Sequence, residues 1–234
     1  ASNNVAVGRN ALTNNTTGTK NTAVGANSLD ANTTASNGTA VGYYALKVNT
    51  TGAQNAAFGS QTLDANTTGN YNTGLGDHAL SENTTGSNNT GVGIYALLLN
   101  TTGEKNVAVG ANCLDASTTA SFNTAIGYEA LGVNTSGISN VAVGLDSLKS
   151  NTTANYNTAV GTNALKANTT SNNLTAIGYN SLTNSTGANN TAVGYKSLEA
   201  NTSGANNVAV GTGALVSNTT ASDNIGIGKD SLND

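Results

Sequence analysis

Small, apolar and polar residues return along this chain at a fixed interval. Take the Asn of the stretch NTAVG at 21–25 as position 1 of the interval. Position 3 is then Ala or Gly, position 4 a larger apolar residue, position 5 Gly, position 8 a small residue and position 9 Leu. The glycine column begins Gly8, Gly25, Gly42 and runs to Gly228 in steps of 17, with one step of 16 between Gly178 and Gly194. The Leu column begins Leu12, Leu29, Leu46 and ends at Leu232. The larger apolar column begins Val7, Val24, Val41, with Phe58, Leu75, Ile126, Ile177 and Ile227 as its variants. A short period held this strictly marks a solenoid, in which each repeat packs only on its neighbours.

Positions 2 to 4 are β-branched or small and predict a short strand. The glycine that follows breaks it, because its φ is positive or its neighbour lies too close for a side chain. Positions 6 to 11 predict a single helical turn or a second short strand, which six residues do not separate by periodicity. The NTTG segment then predicts a turn. The fold expected is all-β: a parallel β-solenoid with one 17-residue coil per repeat and about 14 coils, a single array over 1–234. At about 4.8 Å per coil it would make a rod on the order of 65 Å long. The array starts and stops in mid-repeat without diverged caps, which predicts flanking domains, end-to-end stacking or a longer parent chain.

One Val-type and one Leu side chain per coil make a thin core. The small columns at positions 3 and 8 would admit another chain, or another wall of the same coil, at close range. Burial between chains is therefore expected, with a homotrimer as the first candidate. Asn at positions 1 and 12 is expected to stack on itself from coil to coil. The short step falls within 182–187 and is read as the loss of a residue before Asn184, predicting a kink or tightened turn.

Charge sharpens the picture. Only 9% of residues are charged, and all twenty (8 basic plus 12 acidic) fall at positions 6, 7, 10, 11, 16 and 17. Such segregation requires equivalent residues of every repeat to share one environment. The net charge of −4 and eight scattered basic residues argue against a nucleic-acid groove. No apolar run is long enough to span a membrane, and residues 1–4 do not resemble a signal peptide. The absence of Met predicts a processed chain or a section of a longer one, and the single Cys excludes an internal disulfide.

Candidate chemistry is sparse. The position-12 asparagines Asn15, Asn32, Asn49, Asn66, Asn83, Asn100, Asn134 and Asn151 start N-x-S/T sequons, as do Asn168, Asn184, Asn201 and Asn218. They predict either a glycan stripe or, the reading favoured here, a structural turn ladder. The Thr-rich positions 13 and 14 could form a regular ice-binding face. Gly74 and Gly76 lack the continuation of a phosphate loop. The aspartates wander, unlike those of calcium-binding rolls. Cys113 is expected to be a small packing residue. His78 has no second His or Cys near it in sequence. The tyrosines skip most coils, which leaves at most a local sugar patch. No catalytic residue, cofactor site or metal site is expected, nor an enzyme.

The segment NTAVGTNALKANTT at 157–170 resembles repeats of long bacterial surface proteins and phage tail-fibre-like proteins. The segments VAVG at 107–110, TAIG at 124–127 and VAVG at 141–144 are similar, more loosely, to the strand motif of trimeric autotransporter adhesin heads. The adhesin coil is shorter and lacks the A-L and N-T-T-G halves found here. The resemblance covers the whole chain. It implies an extracellular, cell-surface or virion-surface fibre that self-associates as a homotrimer or end-to-end filament, and carries over no catalytic residue. The function expected is the non-enzymatic shaft of an extracellular fibre, filament or adhesin. Partners would be further copies and a surface glycan or host receptor, with no nucleic acid and no membrane insertion. The alternative is a binding module with an ice-binding Thr face or a weak multivalent glycan-binding surface.

Overall fold

A computed structural model describes residues 1–233. The chain divides into two compact units, Ala1–Ser121 and Phe122–Asp234. Among the described residues each unit carries seven strands of three residues and no helix. The first unit runs from β1 (Val5–Val7) to β7 (Val107–Val109), the second from β8 (Thr124–Ile126) to β14 (Ile225–Ile227). Within each unit consecutive strands pair in parallel and in register, one repeat apart: Thr22 faces Thr39 in the first, Val141 faces Thr158 in the second. Each unit is thus a parallel β-solenoid with one coil per repeat.

The strands are oriented inside-out relative to the expectation that the larger residue is buried. The middle residue faces in and its neighbours face out: Ala57 is fully buried beside Phe58 at 42% exposure, and Ala176 beside Ile177 at 40%. Val7, Val24 and Val41 therefore belong to the outer surface of the sheet rather than to the core. The reason is the space across the coil, where the Leu column and the position-8 residues approach the inside of the strand. A Cβ on Gly74 would already lie 2.5 Å from Thr62 Cγ2 and 3.5 Å from Leu63 Cδ1. Only Ala or Gly fits at position 3. The small columns at positions 3 and 8 accordingly pack against each other inside one coil and are not interfaces between chains; Ala40, Ala45, Ala159 and Ala164 are fully buried.

The Leu column occupies the centre as expected, with Leu29 and Leu46 almost wholly buried and Leu12 half-buried. Its backbone was not foreseen. Every Leu of the column has positive φ, for example 48° at Leu29 and 50° at Leu46, and so does position 7 two residues earlier. A non-Gly residue in this region costs about 1–2 kcal/mol, offset by about 1.5–3 kcal/mol for burying a Leu side chain.

Positions 6 to 11 are consequently neither a helical turn nor a second strand. They form successive tight turns, closed by Ser28 N–H donating to Gly25 O (3.4 Å) and Asn32 N–H donating to Leu29 O (3.2 Å). The alternation of backbone hand points successive free amides at the two neighbouring coils. Asn27 N–H donates to Arg9 O (2.8 Å) in the preceding coil, while Leu29 N–H and Ala31 N–H donate to Ala45 O (3.1 Å) and Lys47 O (3.0 Å) in the next. The turn half of each coil is hydrogen-bonded to its neighbours much as the strand half is.

Apart from Gly228, which has open space where a Cβ would go, the glycines described at position 5 meet both reasons for glycine at once. Gly76 has φ of 139°, and a Cβ there would lie 2.5 Å from the Gly93 carbonyl oxygen of the next coil. The short repeat is resolved differently from the expectation. Ser185, not Asn184, takes the position-12 slot: it is buried, its amide closes the turn onto Leu182 O (3.1 Å), and it accepts a hydrogen bond from Asn201 Nδ2 (3.1 Å). The residue lost is one of the threonine pair after it. The turn tightens there, and β11 (Thr175–Ile177) still pairs in register with β12 (Thr191–Val193), Thr175 facing Thr191.

Candidate functional site

A large part of each coil's interior is amide. In the first unit Asn32, Asn49, Asn66, Asn83 and Asn100 are buried. Each donates from Nδ2 to the Oδ1 of the Asn one coil earlier, over 2.7–3.2 Å. Each also donates to a backbone carbonyl three residues ahead, as Asn49 does to Gly52 O (2.9 Å). Asn15, in the first coil, is half-buried and donates to Gly18 O (3.0 Å). The second unit repeats the column through Asn134, Asn151 and Asn168.

Position 1 makes a second column. Asn72 Nδ2 donates to Gly86 O (2.8 Å), and its Oδ1 accepts the Asn89 backbone N–H (2.9 Å). The column is interrupted by Gly38 and by Leu174, and Leu174 is buried in the place of an amide. A charge in either column would be buried beside groups already engaged, which is why none occurs there.

In the folded chain the Nδ2 groups of these buried asparagines are engaged by ladder and turn. Asn184 differs. It lies exposed at position 11 and donates to Glu199 O (3.0 Å).

The position-13 threonines hydrogen-bond along the stack in the same way, Thr50 Oγ1 to Thr67 O (3.0 Å) and Thr84 Oγ1 to Thr101 O (3.0 Å). The hydroxyls of this column are engaged by the protein, while the position-14 threonines Thr34, Thr51, Thr68 and Thr85 are exposed.

Other candidates resolve locally. Cys113 is fully buried, donates to Gly110 O (3.0 Å) as Ser28 does to Gly25 O (3.0 Å), and burial pushes its thiol up to about 12. It is a packing residue, not a nucleophile. His78 lies 2.9 Å from Asp77 Oδ2, its ring against Tyr95. The described residues hold no cluster of three or more His, Cys, Asp or Glu suited to a metal, and no helix long and apolar enough to cross a membrane.

Tyr43 stacks on Tyr44 at 3.9 Å and Tyr179 on Tyr195 at 5.6 Å, two separate pairs rather than a platform. In the second unit Lys149 bridges Glu129 and Asp146 (3.3 Å to the latter), and Lys166 also reaches Asp146 (2.7 Å). Hydrogen bonds from Lys149 and Tyr128 hold the Glu129 carboxyl below its usual range. Partial burial would raise that of Asp146, but hydrogen bonds from Lys166 and Lys149 outweigh it and the net shift is down.

What remains is the outer face of the strands. Position 4 is Val, Phe, Leu or Ile in all fourteen repeats, although it faces solvent in the structure. Tyr128, Leu145, Tyr179 and Tyr195, exposed at position 6, widen the stripe in the second unit. Compared with known proteins, the chain matches no protein-family model, and no curated protein is significantly similar to it.

Proposed function

We propose that this β-solenoid repeat protein is a non-enzymatic structural element, the shaft of an extracellular fibre, filament or adhesin on a cell or virion surface. The observation that carries the reading is the coil-to-coil bonding. Strand amides, turn amides, two asparagine columns and the Thr column all donate to or accept from the adjacent coil. Chemistry spent this way is repetitive and directed along the stack, as a load-carrying element needs, rather than converging on one place. The resemblance to surface-protein and tail-fibre-like repeats supports the extracellular setting.

Light scattering combined with electron microscopy of the same fraction tests the reading. Elongated particles or fibres are expected, and compact particles without a long axis would overturn it. Intact mass of chain secreted from a glycosylating host is expected to show no glycan at Asn32, Asn49, Asn66 or Asn83. Occupancy there would contradict the buried ladder.

A further inference from the structure

The position-12 column holds Ser at 117 and at 185, and the two slots are built differently. Ser185 lies in the shortened repeat, where the turn tightens around it. Its Oγ donates to Gly187 O (3.3 Å) and accepts from Asn201 Nδ2 (3.1 Å). Ser117 lies in a repeat of full length. Its amide closes the turn onto Leu114 O (3.2 Å), as the Asn100 amide does onto Leu97 O (3.2 Å), so the slot has the backbone of an Asn slot. Thr101 donates to Thr118 O from both its N–H (2.8 Å) and its Oγ1 (3.0 Å). These bonds hold the two coils at their ordinary spacing, and the coils cannot close on the shorter side chain.

What the Ser117 slot lacks is one amide nitrogen. One coil earlier, Asn100 Nδ2 donates to Asn83 Oδ1 (2.7 Å) and to Gly103 O (3.1 Å). The matching acceptors around Ser117 are Asn100 Oδ1 and Ala120 O. Asn100 Oδ1 is buried and no protein group bonds it, and the same is true of Ser117 Oγ. Ala120 O accepts from Asn106 Nδ2 (2.8 Å); its counterpart Ala35 O accepts from Asn21 Nδ2 (2.8 Å) and also from the position-12 Asn32 Nδ2 (3.2 Å). The two acceptors converge. A Cβ on Gly103 would lie 2.2 Å from Ala120 O and 2.4 Å from Asn100 Oδ1. At Gly86 the same point lies 2.4 Å from Gly103 O, 2.5 Å from Asn83 Oδ1 and 3.0 Å from Asn100 Nδ2, the nitrogen that bonds them both.

We propose that the Ser117 slot binds one internal water, which completes the ladder in place of the missing nitrogen. Water matches the lost group in kind. It has two hydrogens to give, as Nδ2 has, one for Asn100 Oδ1 and one for Ala120 O. It also has lone pairs, and one of these accepts the Ser117 Oγ–H. Three hydrogen bonds are the usual complement of a buried water. The space agrees: Ser has two fewer non-hydrogen atoms than Asn, and their volume is close to the roughly 30 Å³ share of one water. Ser117 and its water together thus do what a single Asn does elsewhere in the column, and the ladder of the first unit continues through them. At Ser185 the tightened turn lets the hydroxyl reach protein partners instead, and no water is required.

Magnetic relaxation dispersion of the water oxygen, which counts waters held inside a protein in solution, tests the proposal on the full chain. Ser117→Asn supplies the nitrogen itself. It is expected to lose the dispersion amplitude of one water relative to the wild type, with an unchanged circular dichroism spectrum. Equal amplitudes in the two proteins would overturn the proposal. A crystal structure of the wild type gives a reading that needs no variant. Density for a water within hydrogen-bond distance of Asn100 Oδ1, Ala120 O and Ser117 Oγ is expected. A Ser117 hydroxyl bonded directly to a protein carbonyl, with no water beside it, would overturn the proposal equally.

Discussion

Asn100 and Ser117 occupy successive slots of the buried position-12 column, and the ladder fails between them. Ser117 is too short to donate as an Asn would, so Asn100 Oδ1 and Ser117 Oγ are both buried without a partner. Ser117→Asn is expected to raise stability by about 1 kcal/mol, the net worth of one buried hydrogen bond, read as a higher urea midpoint. A lower midpoint would mean that the slot is not equivalent to those above and below it. Titration offers a second test at this scale. Glu129 and Asp146 have folded pKa values below their unfolded ones. Their contribution is therefore present above the ordinary carboxylate range and lost as pH falls through the folded values. Lys149, raised mainly by its hydrogen bond to Glu129, contributes below the ordinary Lys range and loses its contribution as pH climbs through its raised value. These groups are only partly buried and solvent screens them, so the effect is small. Glu129→Gln is expected to lower the urea midpoint slightly at pH 7 and to converge on the wild type at low pH, so that the acid limb of the stability curve flattens.

Each strand is only three residues long, and its orientation is the element-scale finding. Ala142 faces in and is fully buried, while Val143 is half-buried on the outer face. Ala142→Val is expected to cost about 1–3 kcal/mol by overpacking. Val143→Ala should cost well under 1 kcal/mol, because it opens no cavity. Equal effects, or the reverse order, would contradict the orientation. The sequence carried half of this. The spacing of Gly25, Leu29 and Asn32 identified a strand, a break, a core position and a turn. It did not say which way the strand faced, because three residues alternate once and size suggested that Val, not Ala, should be inside. What hydropathy could not show was the Leu29 backbone with φ of 48°. That conformation sends the Leu side chain across the coil and leaves room opposite it for a methyl group only. The charge pattern did not help, because position 4 lacks charge as a core column would and yet faces out.

Across each unit as a whole, the same coil is written over and over, and the sequence made that legible through its period and its segregated charge. The short repeat was located to within a few residues, but its loss was placed before Asn184 instead of in the Thr pair. Side-chain type alone did not reveal that Ser185 could stand in for Asn. Function was legible only as a class, since identical coils bonded all round their circumference suit a structural role and name no partner. That bonding is the centre of the account, and hydrogen exchange resolved by residue tests it most directly. In each unit the amides at positions 7, 9, 11 and 13, such as Asn27, Leu29, Ala31 and Thr33, donate between coils. They are expected to exchange as slowly as the strand amides, with protection recurring every repeat. Protection confined to the three-residue strands, with fast exchange through the Leu-bearing turns, would contradict it.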